Sequence, residues 1–196
     1  MSKSIDFYFD YGSPTSYLAY KQMPGLSQRT GATINYLPIL LGGVLQATSN
    51  RSPMELPTKR VWMVRDMKFF ADRYGVPFEH NPAFPINTLV LMRGATYAAQ
   101  EGFLDRYSDA VFDAMWGHPK NMSDPNVIGA VLANADLDVK RIVAATQEPQ
   151  IKEKLKADTQ VAIDRGAFGA PTFFVDDHMF FGQDRIQYLE EYLVGL

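Results

Sequence analysis

The segments that look like β-strands lie only at the two ends of this chain, and this spacing limits the folds that it can adopt. Residues 4–10 alternate apolar and polar side chains, as a strand does, and residues 33–40 form a second strand-like run. Between them a helix is predicted to begin near Pro14, directly after the capping residue Ser13. The chain therefore opens with a strand, a helix and a strand, most simply a right-handed parallel unit.

The middle of the chain predicts helices and no strand. From residue 42 to about residue 165 the apolar residues follow helical periods, with proline and glycine residues separating the segments. Large apolar residues at helical spacing are typical of a core. We assign to the core the side chains of Trp62, Met63, Met67, Phe69, Phe70 and Trp116.

The C-terminal end of the chain returns to β-structure. Residues 172–175 and 178–181 predict a hairpin, and a last helix follows them. The sequence therefore predicts an α/β fold with one mixed sheet and helices on both faces. We divide the chain into a sheet domain, residues 1–41 plus 166–196, and a large all-helical insertion domain, residues 42–165.

Composition and charge exclude several classes of function. The 196 residues carry a formal net charge of −3, which argues against a nucleic-acid partner, because such proteins usually present a basic face. Cysteine is absent, so disulfides, thiolate metal sites and cysteine nucleophiles are excluded. His80, His118 and His178 lack the spacing of metal ligands, and we expect no metal. No signal peptide or membrane-spanning run is found, which predicts a cytoplasmic protein with no membrane partner.

Two positions combine features that chemistry at a sheet end requires. Ser13 lies where the first strand ends and the first helix begins, and the amides and dipole of a helix N-terminus favour an anion there. Alternatively, Ser13 is only a helix cap. Pro171 directly precedes the third strand and is either a cis proline, which exposes the backbone of the residue before it, or an edge-strand proline.

Together these positions resemble the thioredoxin arrangement, and the helical insertion resembles its disulfide oxidoreductase branch. Those relatives carry Cys-x-x-Cys at the helix start, whereas this chain has Ser13-Pro14-Thr15-Ser16, so its own side chains cannot exchange thiols and disulfides. Further motifs make the whole chain similar to the 2-hydroxychromene-2-carboxylate isomerase family, which is close to the kappa-class glutathione transferases. In chain order the motifs are Ser13-Pro14-x-Ser16-Tyr17-Leu18, Leu41-Gly42-Gly43, Asn50, Pro57-x-Lys59-Arg60, Pro85-Ile86-Asn87, Phe168-Gly169-x-Pro171-Thr172 and Gly182-Gln183-Asp184-Arg185.

The resemblance implies a thioredoxin-like fold and a glutathione site. Ser13 matches the catalytic serine that hydrogen-bonds the glutathione sulfur and favours its thiolate. Ala170, before Pro171, matches the residue whose backbone pairs with the cysteinyl part of glutathione. The γ-glutamyl end is expected to bind at the last helix start, formed by Gly182, Gln183 and Asp184.

The resemblance also assigns residues of the insertion and of the turn before the serine. Asn50 and Lys59 match positions that reach glutathione or the substrate, and Asn87 matches a position on the substrate side. Each has a simpler alternative: Lys59 as a solvated lysine, and Asn87 and Asp184 as helix caps. Gly12 departs from the family, where a larger apolar residue is expected, and its small size would widen the sulfur pocket or loosen the turn.

The activity that the resemblance implies is an isomerisation. The family interconverts 2-hydroxychromene-2-carboxylate and trans-o-hydroxybenzylidenepyruvate, a step of bacterial naphthalene breakdown, by reversible addition of the glutathione thiolate to an aromatic substrate. A kappa-like transferase that consumes glutathione is the first alternative, and a redox-inactive thioredoxin-like binding module is the second. The resemblance further implies a homodimer.

Overall fold

The computed structural model describes residues 3–195 and contains a four-stranded mixed sheet in the order β2-β1-β3-β4. β1 pairs in parallel with β2 and antiparallel with β3, which in turn pairs antiparallel with β4. The opening parallel unit and the C-terminal hairpin are therefore confirmed. The strands are β1 (Ser4–Phe9), β2 (Thr33–Pro38), β3 (Thr172–Val175) and β4 (His178–Phe181).

Helices fill the chain between β2 and β3, as the periodicity predicts. Within residues 3–195 no helix is both long and apolar enough to cross a lipid bilayer. Within the described residues the helices are α1 (Pro14–Thr30), between β1 and β2, α2 (Leu41–Ala47), α3 (Pro57–Tyr74), α4 (Leu89–Gln100), α5 (Leu104–Phe112), α6 (Pro125–Asn134), α7 (Val139–Ala145), α8 (Pro149–Asp164) and, after β4, α9 (Ile186–Val194). A π-helical turn over Asp113–Gly117 extends α5, and short 3₁₀ turns cover Pro53–Glu55 and Gln183–Arg185.

Local sequence chemistry sets the ends of the helix that matters most for the site. The Ser13 side chain caps α1 by accepting a hydrogen bond from the backbone N–H of Ser16 at 3.1 Å, and Pro14 occupies the first helical position. Gly31 ends α1 in the left-handed conformation, with φ of 70°. The helix thus begins directly at the C-terminal end of β1.

Alternate residues of β1 pack against different layers of helices. Ile5, Phe7 and Phe9 are fully buried in the cluster that includes α1 and most of the insertion. Tyr8 belongs to a second cluster with Ala162 of α8. Helices therefore cover both faces of the sheet, as the fold class requires.

The larger hydrophobic cluster continues from the sheet into the helical middle of the chain. Phe9 of β1 and Phe112 of α5 have ring centroids 5.7 Å apart, and Trp116 is fully buried in the same cluster. The division of the chain at residues 41 and 165 stays a prediction, and the core runs across it without interruption.

Two of the residues assigned to the core are in fact exposed. Met67 and Trp116 are fully buried, but Trp62 and Phe69 are 63% and 58% exposed. Trp62 and Phe69 lie seven residues apart and so share one face of α3, whereas the stripe that α3 buries runs through Met67 and Ala71. The core assignment was wrong for Trp62 and Phe69 because aromatic residues occupy the outward face of this helix as well.

Candidate functional site

A cavity of about 380 Å³ opens at the C-terminal end of β1, between the start of α1, the loop before β3 and the first helices of the insertion. Lys59 does not line it and lies exposed in the first turn of α3. Asn87 does not line it either, and its Oδ1 accepts a hydrogen bond from the N–H of Leu89 at 3.0 Å, at the start of α4. The seven other predicted site residues all line the cavity: Ser13, Asn50, Ala170, Pro171, Gly182, Gln183 and Asp184.

The Ser13 hydroxyl connects the start of α1 to the loop before β3. It is 4% exposed, and its Oγ donates a hydrogen bond to the carbonyl of Ala170 at 2.9 Å. The Ala170–Pro171 peptide bond is cis, which corresponds to the first of the two alternatives for Pro171. A second hydroxyl, Thr15 Oγ1, lies 2.9 Å from Ser13 Oγ and also lines the cavity. The structure therefore places a hydroxyl pair and a helix N-terminus beside a cis proline.

The buried carboxylate of Asp10 holds the turn that presents Ser13. Its Oδ1 accepts hydrogen bonds from the N–H of Gly12 at 2.8 Å and from the hydroxyl of Thr88 at 2.7 Å, and its Oδ2 accepts one from the N–H of Leu41 at 2.9 Å. Burial raises the pKa of the Asp10 carboxyl, and these three hydrogen bonds oppose the rise. No sequence pattern points to this role of Asp10, because two of its partners are distant in the chain.

Gly12 fits tightly in this turn. A Cβ at this position would lie 3.3 Å from both Asp10 Oδ1 and Thr88 Cγ2, so a larger residue would press on the hydrogen bond between Asp10 and Thr88. On the other side of the turn, the indole Nε1 of Trp116 donates to the carbonyl of Tyr11 at 2.7 Å. The turn is thus held on both sides of Gly12, which itself lines the cavity.

The opposite end of the cavity carries two carboxylates and an arginine. The N–H of Gly182 donates to the carbonyl of Pro171 at 3.0 Å, which fixes the start of the last helical segment and brings Asp184 to the cavity wall. Asp66 of α3 lines the same wall, and its pKa is raised by burial and then by the nearby charge of Asp184. Arg185 also lines the cavity, and its Nη2 lies 3.7 Å from Asp184 Oδ2, so a cationic group already neighbours one of the two carboxylates. Asp66 was not predicted as a site residue, because it lies in a helix with several other charged residues and no sequence pattern distinguishes it.

An apolar wall completes the cavity. Asn50 supports it by donating from Nδ2 to the carbonyl of Phe168 at 2.9 Å, which ties the loop after α2 to the segment before β3. This wall was not predicted from the sequence, because large apolar side chains of α3 were assigned to the core. The apolar residues that line the cavity include Leu41, Leu45, Met54, Trp62, Met63, Phe84 and Phe181.

Comparisons with known proteins show the family of the chain. A family model described as a DSBA-like thioredoxin domain matches residues 4–194. A 2-hydroxychromene-2-carboxylate isomerase of Sphingobium xenophagum is 36% identical over 197 residues, which is 99% of this chain and 100% of that protein. Glutathione S-transferase kappa 1 of Caenorhabditis elegans is 28% identical, over 96% of this chain and 90% of that protein.

A solved structure agrees as well. The structure of a 2-hydroxychromene-2-carboxylate isomerase superposes with a TM-score of 0.86 at 31% identity, covering 98% of this chain and 95% of that one. Since the similarity extends over nearly the full length of both chains, the thioredoxin-like fold class is confirmed, including the helical middle of the chain.

Proposed function

We propose that this chain, which belongs to the DSBA-like thioredoxin-domain family and within it to the 2-hydroxychromene-2-carboxylate isomerases, is a glutathione-dependent isomerase. The proposed reaction interconverts 2-hydroxychromene-2-carboxylate and trans-o-hydroxybenzylidenepyruvate, or a similar intermediate of aromatic breakdown such as that of naphthalene. The observation that carries the proposal is the Ser13 hydroxyl, held at the start of α1 and 2.9 Å from the carbonyl of Ala170. A serine stands there where thioredoxin-like oxidoreductases carry a reactive cysteine.

The groups around the cavity fit the parts of glutathione. Its thiol would face Ser13, and its cysteinyl amide would meet the backbone carbonyl of Ala170 beside the cis proline. Its α-ammonium group would lie between Asp66 and Asp184, whose mutual repulsion it would relieve. Arg51 lines the cavity and is the closer candidate for a glutathione carboxylate, since Lys59 lies outside the lining. The roles of Lys59 and Asn87 thus remain the least supported.

The chain supplies a thiolate-stabilising environment and a binding surface for the substrate. When bound, glutathione supplies a thiolate that adds reversibly to a conjugated double bond, lets it rotate as a single bond and leaves again. The Ser13 hydroxyl would donate a hydrogen bond to the sulfur, and the α1 amides would add their partial positive charge, so the thiol pKa would fall below its usual value of about 8.5. Trp62, Phe84 and Phe181 would bind the aromatic ring of the substrate and exclude water from it.

A kappa-like glutathione transferase is the second candidate, supported by the similarity to glutathione S-transferase kappa 1. The same cavity would serve both reactions. Stoichiometry separates them, because a transferase consumes one glutathione per turnover whereas an isomerase consumes none. We further propose a cytoplasmic homodimer, as the family resemblance implies, and a redox-inactive binding module is what remains if glutathione does not bind.

The decisive experiment compares wild type with Ser13→Ala. Calorimetric titration measures glutathione binding, and ultraviolet absorbance measures the fraction of bound glutathione present as thiolate. We expect wild type to raise the thiolate fraction and Ser13→Ala to lose about a hundredfold in turnover, the typical loss on removing one donor to a developing anion. Ser27→Ala is the matched control, since the Ser27 hydroxyl also lies on α1 but donates to Ala32 away from the cavity. Full activity of Ser13→Ala at saturating glutathione would refute the role of Ser13.

A further inference from the structure

The hydroxyl of Ser13 makes more hydrogen bonds than a capping serine needs. Its Oγ accepts from the N–H of Ser16 at 3.1 Å, donates to the carbonyl of Ala170 at 2.9 Å and lies 2.9 Å from Thr15 Oγ1. A serine hydroxyl has one proton and two lone pairs. The Ala170 carbonyl can only accept, and Ser13 Oγ at 2.9 Å is a closer donor to it than Thr15 Oγ1 at 3.4 Å. With the Ser13 proton on that carbonyl, Thr15 is the donor in the pair of hydroxyls. Both lone pairs of Ser13 are therefore occupied.

We propose that Thr15 is a positioning residue that directs the single proton of Ser13 toward the sulfur of glutathione. This proposal rests on the function proposed above. A donor on each lone pair leaves Ser13 no way to accept a proton from the thiol, so it can act only as a donor. Hydrogen bonds in a chain also strengthen one another, and a hydroxyl that accepts from Thr15 is therefore a stronger donor to a thiolate.

The arrival of the sulfur leaves the hydrogen bond from Thr15 to Ser13 in place. The Ser13 proton then leaves the Ala170 carbonyl, which would take the cysteinyl N–H of glutathione as its new donor. Thr15 Oγ1 lies 3.4 Å from the Ala170 oxygen and 2.9 Å from Ser13 Oγ, and the Thr15 side chain is only partly buried at the cavity wall. Its proton can therefore stay on Ser13 Oγ, the nearer of the two oxygens.

The test is the pKa of the thiol of bound glutathione, measured from thiolate absorbance as a function of pH, in Thr15→Val and Thr15→Ser. Valine keeps the branched shape and removes the hydroxyl, whereas serine keeps the hydroxyl. We expect Thr15→Val to lower the ratio of thiolate to thiol by about twofold to fivefold, which is a rise of about 0.3 to 0.7 in the thiol pKa. Thr15→Ser should restore the wild-type value. Thr30→Val is the matched control, because the Thr30 hydroxyl lies on α1 and donates to Leu26.

S-methylglutathione, which has no ionisable thiol, separates positioning from simple packing. Its dissociation constant should be the same for wild type and Thr15→Val. An unchanged thiol pKa in Thr15→Val, or equal weakening of glutathione and S-methylglutathione, would overturn the role of Thr15 while leaving the proposed function intact. If wild type binds no glutathione, or if Ser13→Ala binds it with the wild-type thiol pKa, the proposed function itself fails and the role of Thr15 fails with it.

Discussion

Replacing Asp10 by asparagine tests how the turn that presents Ser13 is held, because the change keeps the shape of the side chain and removes one hydrogen-bond acceptor. Asp10 is 2% exposed and accepts from two backbone N–H groups, one on each carboxylate oxygen. An asparagine has only one oxygen, so its NH₂ group must face the N–H of either Gly12 or Leu41. The hydroxyl of Thr88 can turn round and accept, but a backbone N–H cannot. Whichever way the amide lies, one buried donor is left without a partner.

The expected cost follows from that orphaned donor. Leaving a buried N–H unsatisfied costs about 1 to 3 kcal/mol. The amide of asparagine is neutral and avoids the desolvation that raises the pKa of the Asp10 carboxyl. We therefore place the net loss in the free energy of unfolding at about 1 to 2 kcal/mol. For a chain of this size that corresponds to a fall in Tm of about 2 to 8 °C. The control is Asp6→Asn on the same strand, whose partly exposed carboxylate pairs with Arg165 and should contribute less than about 1 kcal/mol.

The pH dependence of the stability difference between wild type and Asp10→Asn is an independent test, and its direction can be predicted. Since the pKa of Asp10 is raised by folding, its contribution to the free energy of unfolding is fully present below the unfolded value of about 3.9 and is lost as pH rises through the folded pKa. The gap in stability between wild type and Asp10→Asn should therefore widen as pH falls from 7 toward 4 in denaturant titrations. A gap that narrows over this range would show that folding lowers the pKa of Asp10 instead of raising it. Asp10→Asn being no less stable than Asp6→Asn would show that Asp10 does not hold the turn as described.

Two further predictions concern packing and charge away from the cavity. Gly94→Ala should destabilise the protein by about 1 to 3 kcal/mol in thermal unfolding, because the new methyl group would collide with the Tyr107 ring. The control is Gly129→Ala, which should be neutral or stabilising because its Cβ would make an ordinary 3.7 Å contact. Equal effects of the two changes would contradict this packing. Glu190→Gln should cost less than about 1 kcal/mol at neutral pH, because Glu190 forms a partly exposed pair with Arg29. The hydrogen bond with Arg29 lowers the pKa of Glu190. The difference in stability between Glu190→Gln and wild type should therefore be present above the unfolded pKa, disappear as pH falls through the lowered value and shrink with added salt. A difference in stability that persists in acid would contradict the pairing of Glu190 with Arg29.

The features that the sequence predicts well are those decided by neighbouring residues. The start of α1 follows from Ser13 and Pro14, and the hairpin before α9 follows from two short strands around a turn. In each case the local pattern and the tertiary structure favour the same conformation. The position of Ser13 beside Ala170 became predictable only through the family resemblance, since no local rule joins residues so far apart.

The features that the sequence does not reveal depend on partners from distant segments. Asp10 looks like one more polar residue of an alternating strand until the structure brings Leu41 and Thr88 to its oxygens. Thr15 looks like an ordinary first-turn residue of a helix. Trp62 is misassigned because hydrophobicity alone does not distinguish a residue that packs into the core from one that lines an open cavity.

The hydrogen bond between Ser13 and Ala170 spans 157 positions of the chain, and this separation has a consequence for synthesis. A ribosome that has made the first two strands and all of the insertion has still not made the other half of the binding site. Glutathione therefore cannot bind and stabilise an incomplete chain, and it would stabilise only the completed protein. Under the proposed function, a glutathione concentration a hundred times the dissociation constant would add about 2.7 kcal/mol to the free energy of unfolding. The thiol pool of the cell would then help to set how long each finished molecule resists proteolysis.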